Sequence, residues 1–157
     1  MTALDPENTP LLPRGITGFW SVREEAPPEI LEELCFRQLC HAVARELRRR
    51  VLQIDTDLTA RNFYWAHLQL PEARLYLLEN VCYPYLAWAE SLESGRIAFA
   101  DPPVRFRPAD WSVRLLTAAQ LAQDWRGLCR DLSPTELRQI QTEQPRTVGE
   151  IVFNFWD

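Results

Sequence analysis

His67 lies on a run that alternates in polarity, Phe63 to Leu70, and a neutral imidazole there could act as a general base. Asp55 and Asp57 form the polar turn that ends the expected strand Val51 to Asp55, so pairing of the two runs would bring a carboxylate close enough to orient that base. The competing expectation is that His67, beside Trp65, is a packed and hydrogen-bonded core residue. His41 falls on an arginine stripe and is expected to face water.

Four cysteines, Cys35, Cys40, Cys82 and Cys129, supply the sulfur. Cys35 and Cys40 are five positions apart, which turns them about 140° from one another on a helix, from roughly 100° per residue. One helix therefore cannot offer both to a single ion, and neither metal nor other cofactor is expected. The cysteine spacing shows no paired pattern, which predicts free thiols. Lysine is absent and all seventeen basic residues are Arg, which removes Schiff-base chemistry and the phosphate-binding lysine of nucleotide sites. The G-x-S-x-G and H-E-x-x-H motifs and glycine-rich nucleotide loops are also missing.

Two stretches suit binding better than catalysis. Arg105, Arg107 and Arg114 alternate on two short runs that pair most simply as a hairpin across Pro108 to Asp110. Forked guanidinium groups on one sheet face would suit the carboxylates of an acidic partner. Tyr83, Tyr85 and Trp88 flank Pro84 and could cover an interface, since large aromatics supply area at low entropic cost. Ordinary packing is the competing reading of both stretches.

The elements that would position these groups begin with a helix of about six turns from Pro28 to Arg50. Glu29, Glu32 and Glu33 suit its N-terminal end, and Arg45, Arg48, Arg49 and Arg50 its C-terminal end. Leu31, Leu34, Cys35, Leu39, Ala42 and Val43 mark a buried face, widened by Phe36, Cys40 and Leu47. Strands are expected at Ile16–Val22, Val51–Asp55, Phe63–Leu70, Leu75–Val81, Arg96–Ala100 and the hairpin, with Leu86–Glu90 a strand continuation or a helical turn. Leu75–Val81 is the most uniformly apolar and should be central. Thr117 should cap a helix to about Arg130, and capping boxes at Ser133–Glu136 and Thr147–Glu150 open two more.

The order predicts an α+β fold: an antiparallel sheet of about five or six strands against a long N-terminal helix, closed by two or three C-terminal helices. Residues 1–14 should be a loose tail and residues 15–157 one domain. No apolar run approaches the ~20 residues of a membrane span, and the first residues carry no export pattern, so the cytoplasm is the expected compartment. The net charge of −5 is uneven, with seven acids against two Arg in residues 1–33 and fifteen against fifteen in the rest. A neutral body with an acidic front end argues against nucleic acid.

These observations favour a non-catalytic cytoplasmic protein that binds another protein, in the manner of an assembly chaperone or an inhibitor, with a homodimer possible. The alternative is a small-molecule site or small enzyme, with a pocket between the long helix and the aromatic sheet near His67, Trp65 and Tyr64.

Overall fold

The computed structural model describes residues 9–24, 29–70, 73–103, 106–107 and 111–156. Helix α1 (Glu33–Glu46) is followed by strands β1 (Arg50–Asp55), β2 (Phe63–Gln69), β3 (Arg74–Asn80), β4 (Tyr85–Glu93) and β5 (Arg96–Ala100). These five pair antiparallel in sequence order, with β3 in the centre. A two-residue strand β6 (Arg114–Leu115) adds to β4 in parallel, and α2 (Ala118–Leu121), a 3₁₀ turn (Arg126–Leu128), α3 (Pro134–Glu143) and α4 (Val148–Val152) complete the α+β chain. Among the described residues no helix is long and apolar enough to cross a membrane.

The period-two pattern sorts the core into two layers. Tyr64, Ala66, Leu68, Leu77, Leu86 and Trp88 point toward α1. Phe63, Leu78, Tyr85, Ala87 and Ala89 point toward α2, α3, α4 and the N-terminal segment. Burying apolar area on both faces makes the sheet the interior of the molecule.

Helix α1 is shorter than the spacing predicts and is turned by about one residue. At its start the Leu31 amide donates to the Val81 carbonyl (2.7 Å) and Glu32 is still extended. At its end Arg48 adopts φ 56°, and the amides of Arg48 and Arg49 return to the carbonyls of Arg45 and Ala44. That is a Schellman cap, usually built on glycine, and it stops the helix before Arg50. The buried face is Phe36, Leu39, Cys40, Val43, Ala44 and Leu47, whereas Leu34 is 59% exposed and Cys35 is exposed.

Four further expectations need correction. Ile16–Val22 is not a strand, because its buried backbone groups bond to side chains instead of to a sheet ladder. The Asn62 and Asn80 amides each donate to the carbonyls of Ile16 and Val152, at 2.8–3.1 Å. Asn154 donates to Thr17 O, and its own amide donates to Asn62 Oδ1 (2.8 Å). The fully buried Glu136 carboxylate accepts from the amides of Gly15, Thr17 and Ser133 and from the Thr17 hydroxyl (2.6 Å). Residues 9–14 are likewise no loose tail: Leu12 is fully buried, and the hydroxyls of Tyr83 and Tyr85 donate to the carbonyls of Arg14 and Pro10. The earlier part of that expected tail lies outside the described residues.

The helix expected from Thr117 to Arg130 has the capping box, completed by Gln120, but ends at Leu121. There α4 crosses so closely that a Cβ on Gly149 would lie 2.5 Å from the Phe99 ring and 3.1 Å from Leu121 O. The backbone then leaves the helix to pair with α4, the Gln123 carbonyl accepting from the Val148 amide. The expected hairpin is replaced by the parallel pairing of β6 with β4; Val104, Arg105 and Pro108 to Asp110 lie outside the described residues.

The rotation of α1 is directly testable. Phe36→Ala should cost about 3–5 kcal/mol through lost burial and a cavity, and Leu34→Ala less than about 0.5 kcal/mol. Urea melts of the two variants check the difference, and equal costs would contradict the packing described.

Candidate functional site

On the α1 side of the sheet, one position in the apolar layer is a carboxylate. Glu79 sits on β3 between Tyr64 of β2 and Leu86 of β4 and is 5% exposed. Its side chain has no hydrogen bond or ion pair among the described residues, unlike the four-donor cradle of Glu136 on the other face. Burial alone pushes its carboxyl up to about 7.

Glu79 lines a cleft of about 400 Å³. One wall is the entry and first turns of α1, with Leu31, Glu32, Cys35, Gln38, Leu39 and Ala42; the other is Pro84 with Trp111, Ser112 and Val113. Ser112 is held at φ 53°, a left-handed conformation costly for a residue with a Cβ. The Trp111 indole N–H is buried without a partner among the described residues. The α1 wall is braced from the sheet by the Tyr64 hydroxyl, which donates to Leu31 O (2.8 Å). Two carboxylates and no cation are found among the described lining residues.

The surrounding titratable groups are shifted away from reactivity. The Cys40 thiol is raised above its ordinary range, first by burial and then by the charge of Glu79. Burial raises the Tyr64 hydroxyl, with Glu33 and Glu79 adding to it. Burial pushes Cys82 up to about 11. All four cysteines are free, and Cys35, on the cleft wall, is the exposed one.

A larger cavity of about 710 Å³ lies on the far side of the sheet, near Phe99, Leu121, Gly149, Phe153 and Trp156. Its carboxylates are engaged, Glu150 accepting from the Arg146 amide and Glu143 from the Gln139 amide. The smaller cleft is the stronger site because volume alone recognises nothing, whereas a largely buried acid with no partner among the described residues can.

The residues singled out in the sequence fall elsewhere. His67 is not assembled with an acid: it stacks on Tyr76 at 4.3 Å, and its buried Nε2 has no partner. Burial lowers its pKa and Arg74 adds to the effect. Asp55 pairs instead with Arg61, and Asp57 accepts from the amide and hydroxyl of Thr59. His67 and Trp65 also face away from α1, so they do not border a pocket against that helix; of the three residues expected there, Tyr64 faces α1.

Of the expected arginine face, two residues are described. Arg114 donates to Thr9 O and lies over the Tyr85 ring at 5.4 Å, Arg107 is exposed, and Arg105 lies outside the described residues. Tyr85 and Trp88 are fully buried, and Tyr83 is half-buried with its hydroxyl bonded to Arg14 O, so these rings serve the core.

Sequence reading missed Glu79, Glu32, Cys35 and Trp111. The available signal was parity: Glu79 interrupts the apolar run Leu75–Val81 on the same side as Leu75 and Leu77. Comparison of the chain with protein-family models, with curated proteins and with solved structures finds no match.

Glu79 makes stability depend on pH in a defined direction. The folded state holds its proton up to about pH 7, whereas the unfolded chain releases it near 4.5. Its contribution is therefore lost as pH rises from about 4.5 to 7, by roughly 3 kcal/mol in all. Glu79→Gln should remove that fall, leaving the variant more stable than the parent above pH 7. Denaturant melts across pH 4–8 check this, and parallel curves for the two proteins would contradict it.

Proposed function

We propose that this protein is a non-catalytic binding protein that holds part of a partner protein in the cleft between α1 and the Trp111–Val113 segment. The observation that carries the reading is the buried carboxyl of Glu79 in the cleft wall, which has no partner among the described residues. A protein folded for stability alone would favour an apolar side chain there, since an uncompensated buried acid costs free energy. The strained turn at Ser112, next to Trp111, is a second local cost beside the same cleft.

A macromolecular occupant is favoured by the surface beside the cleft. Ile30 and Leu34 are 60% and 59% exposed and flank the lining residues Leu31 and Cys35. Apolar side chains clustered at the edge of a cleft give a partner chain something to cover that a small metabolite would not. The reading differs from catalysis in what the groups do: the buried thiols are held protonated, and His67 is stacked on a tyrosine away from the cleft. We place the protein in the cytoplasm on its free cysteines, consistent with a reducing compartment.

Cys35 provides the test. In a Cys129→Ser background, N-phenylmaleimide should modify Cys35 and spare the buried Cys40 and Cys82. The modified and unmodified proteins are then used to capture partners from lysate of the native source, with identification by mass spectrometry. Loss of a captured protein on modification is the expected result. An identical set of captured proteins would overturn the assignment of the cleft.

A further inference from the structure

We infer that the group received by the cleft is a cationic nitrogen, an alkylammonium or guanidinium, which forms an ion pair with Glu79 and lies against the Trp111 indole. This deepens the binding reading above and rests on it.

The argument begins with what the cleft lacks. Its described lining residues include the acids Glu32 and Glu79 and no Arg or His. Glu79 is buried and has no ion pair among the described residues, so a ligand cation would supply the charge partner that those residues withhold. An aromatic wall beside a carboxylate is the arrangement that suits a desolvated cation, since the ring face attracts positive charge. Apolar Leu39, Ala42 and Val113 would then cover the stem to which such a nitrogen is attached. An anionic ligand would meet two carboxylates, and a purely apolar one would bring Glu79 no partner.

Proton linkage follows from the same contact. Free Glu79 holds its proton to about pH 7, so a cation that pairs with the carboxylate displaces that proton to solvent. Binding should tighten as pH rises from 6 to 8 and weaken by about tenfold over the reverse interval, from the ionised fraction of a group titrating near 7. The described titratable and charged groups around Glu79 are Tyr64 on β2, Cys35, Cys40 and Arg37 on α1, the last paired with Glu33, and Glu32 at the entry to α1. Tyr64 and Cys40 are both shifted upward and stay neutral across this interval, and Glu32 is exposed on the cleft wall.

The experiment is an NMR titration of the ¹⁵N-labelled full chain with n-butylguanidinium chloride, with its neutral isostere n-butylurea, and with a blocked Gly-Arg-Gly peptide. The Trp111 indole signal, identified by its loss in Trp111→Phe, and the amides of Cys35 and Gln38 report occupancy. The expected result is that butylguanidinium or the peptide shifts these signals and butylurea does not, with affinity at least tenfold weaker in Glu79→Gln. Tighter binding of the peptide identifies a partner's arginine as the source, and tighter binding of butylguanidinium a free small molecule. Equal binding of butylurea, an unchanged affinity in Glu79→Gln, or an affinity independent of pH between 6 and 8 would overturn the inference. The pH arm uses the unaltered protein and so decides the matter even if the variant folds poorly. If cations prove indifferent to Glu79 while modification of Cys35 still abolishes capture, the cleft reading stands and its charge specificity falls.

Discussion

The buried polar network under the C-terminal layer is the constraint on which the fold depends. A segment with buried backbone and no strand partner must find hydrogen bonds elsewhere or leave groups unsatisfied at a cost of about 1–3 kcal/mol each. Here Asn62, Asn80 and Asn154 reach the carbonyls of Ile16, Thr17 and Val152, and Glu136 collects the amides of Gly15 and Thr17. The two ends of the described chain are thereby fixed to adjacent central strands. Side chains perform the task that a sheet ladder would otherwise perform.

That economy makes the other face informative. Both faces of the sheet bury a carboxylate, yet Glu136 is met by four donors and Glu79 by none among the described residues. The same chain can satisfy a buried acid fully, so the isolation of Glu79 is not a general looseness of packing. The free energy is recovered only if something else enters, or if the proton stays on. Both routes lead to the cleft, because Glu79 lines its wall and α1 stands over it, held by Tyr64. Rigid strands below and a helix above are a suitable frame for a preorganised contact.

Much of this architecture was legible. The alternation of Phe63 to Leu70 assigns each residue to its face, and Ser133 with Glu136 caps α3 with Pro134 in its first turn. Local rules succeed where the governing bonds are local. They fail where long-range contacts decide: no pattern near Ile16 announces that Asn80 will take its carbonyl. The Schellman cap at Arg48 carries no glycine, so the end of α1 had no signal. Tyr83, Tyr85 and Trp88 have the composition of an interface, and tertiary burial claims them for the core. The site itself was hidden because an apolar run was read for its average, and a single acid at a core-facing parity does little to an average.

A carbon-detected NMR titration of the Glu79 side-chain carboxyl tests the central claim most directly. The account predicts a midpoint near 7, well above that of an exposed glutamate, and a downward displacement when a guanidinium occupies the cleft. A midpoint near 4.5 would mean that the carboxyl is already well solvated or paired, and the cleft would then have no desolvated acid to build recognition on.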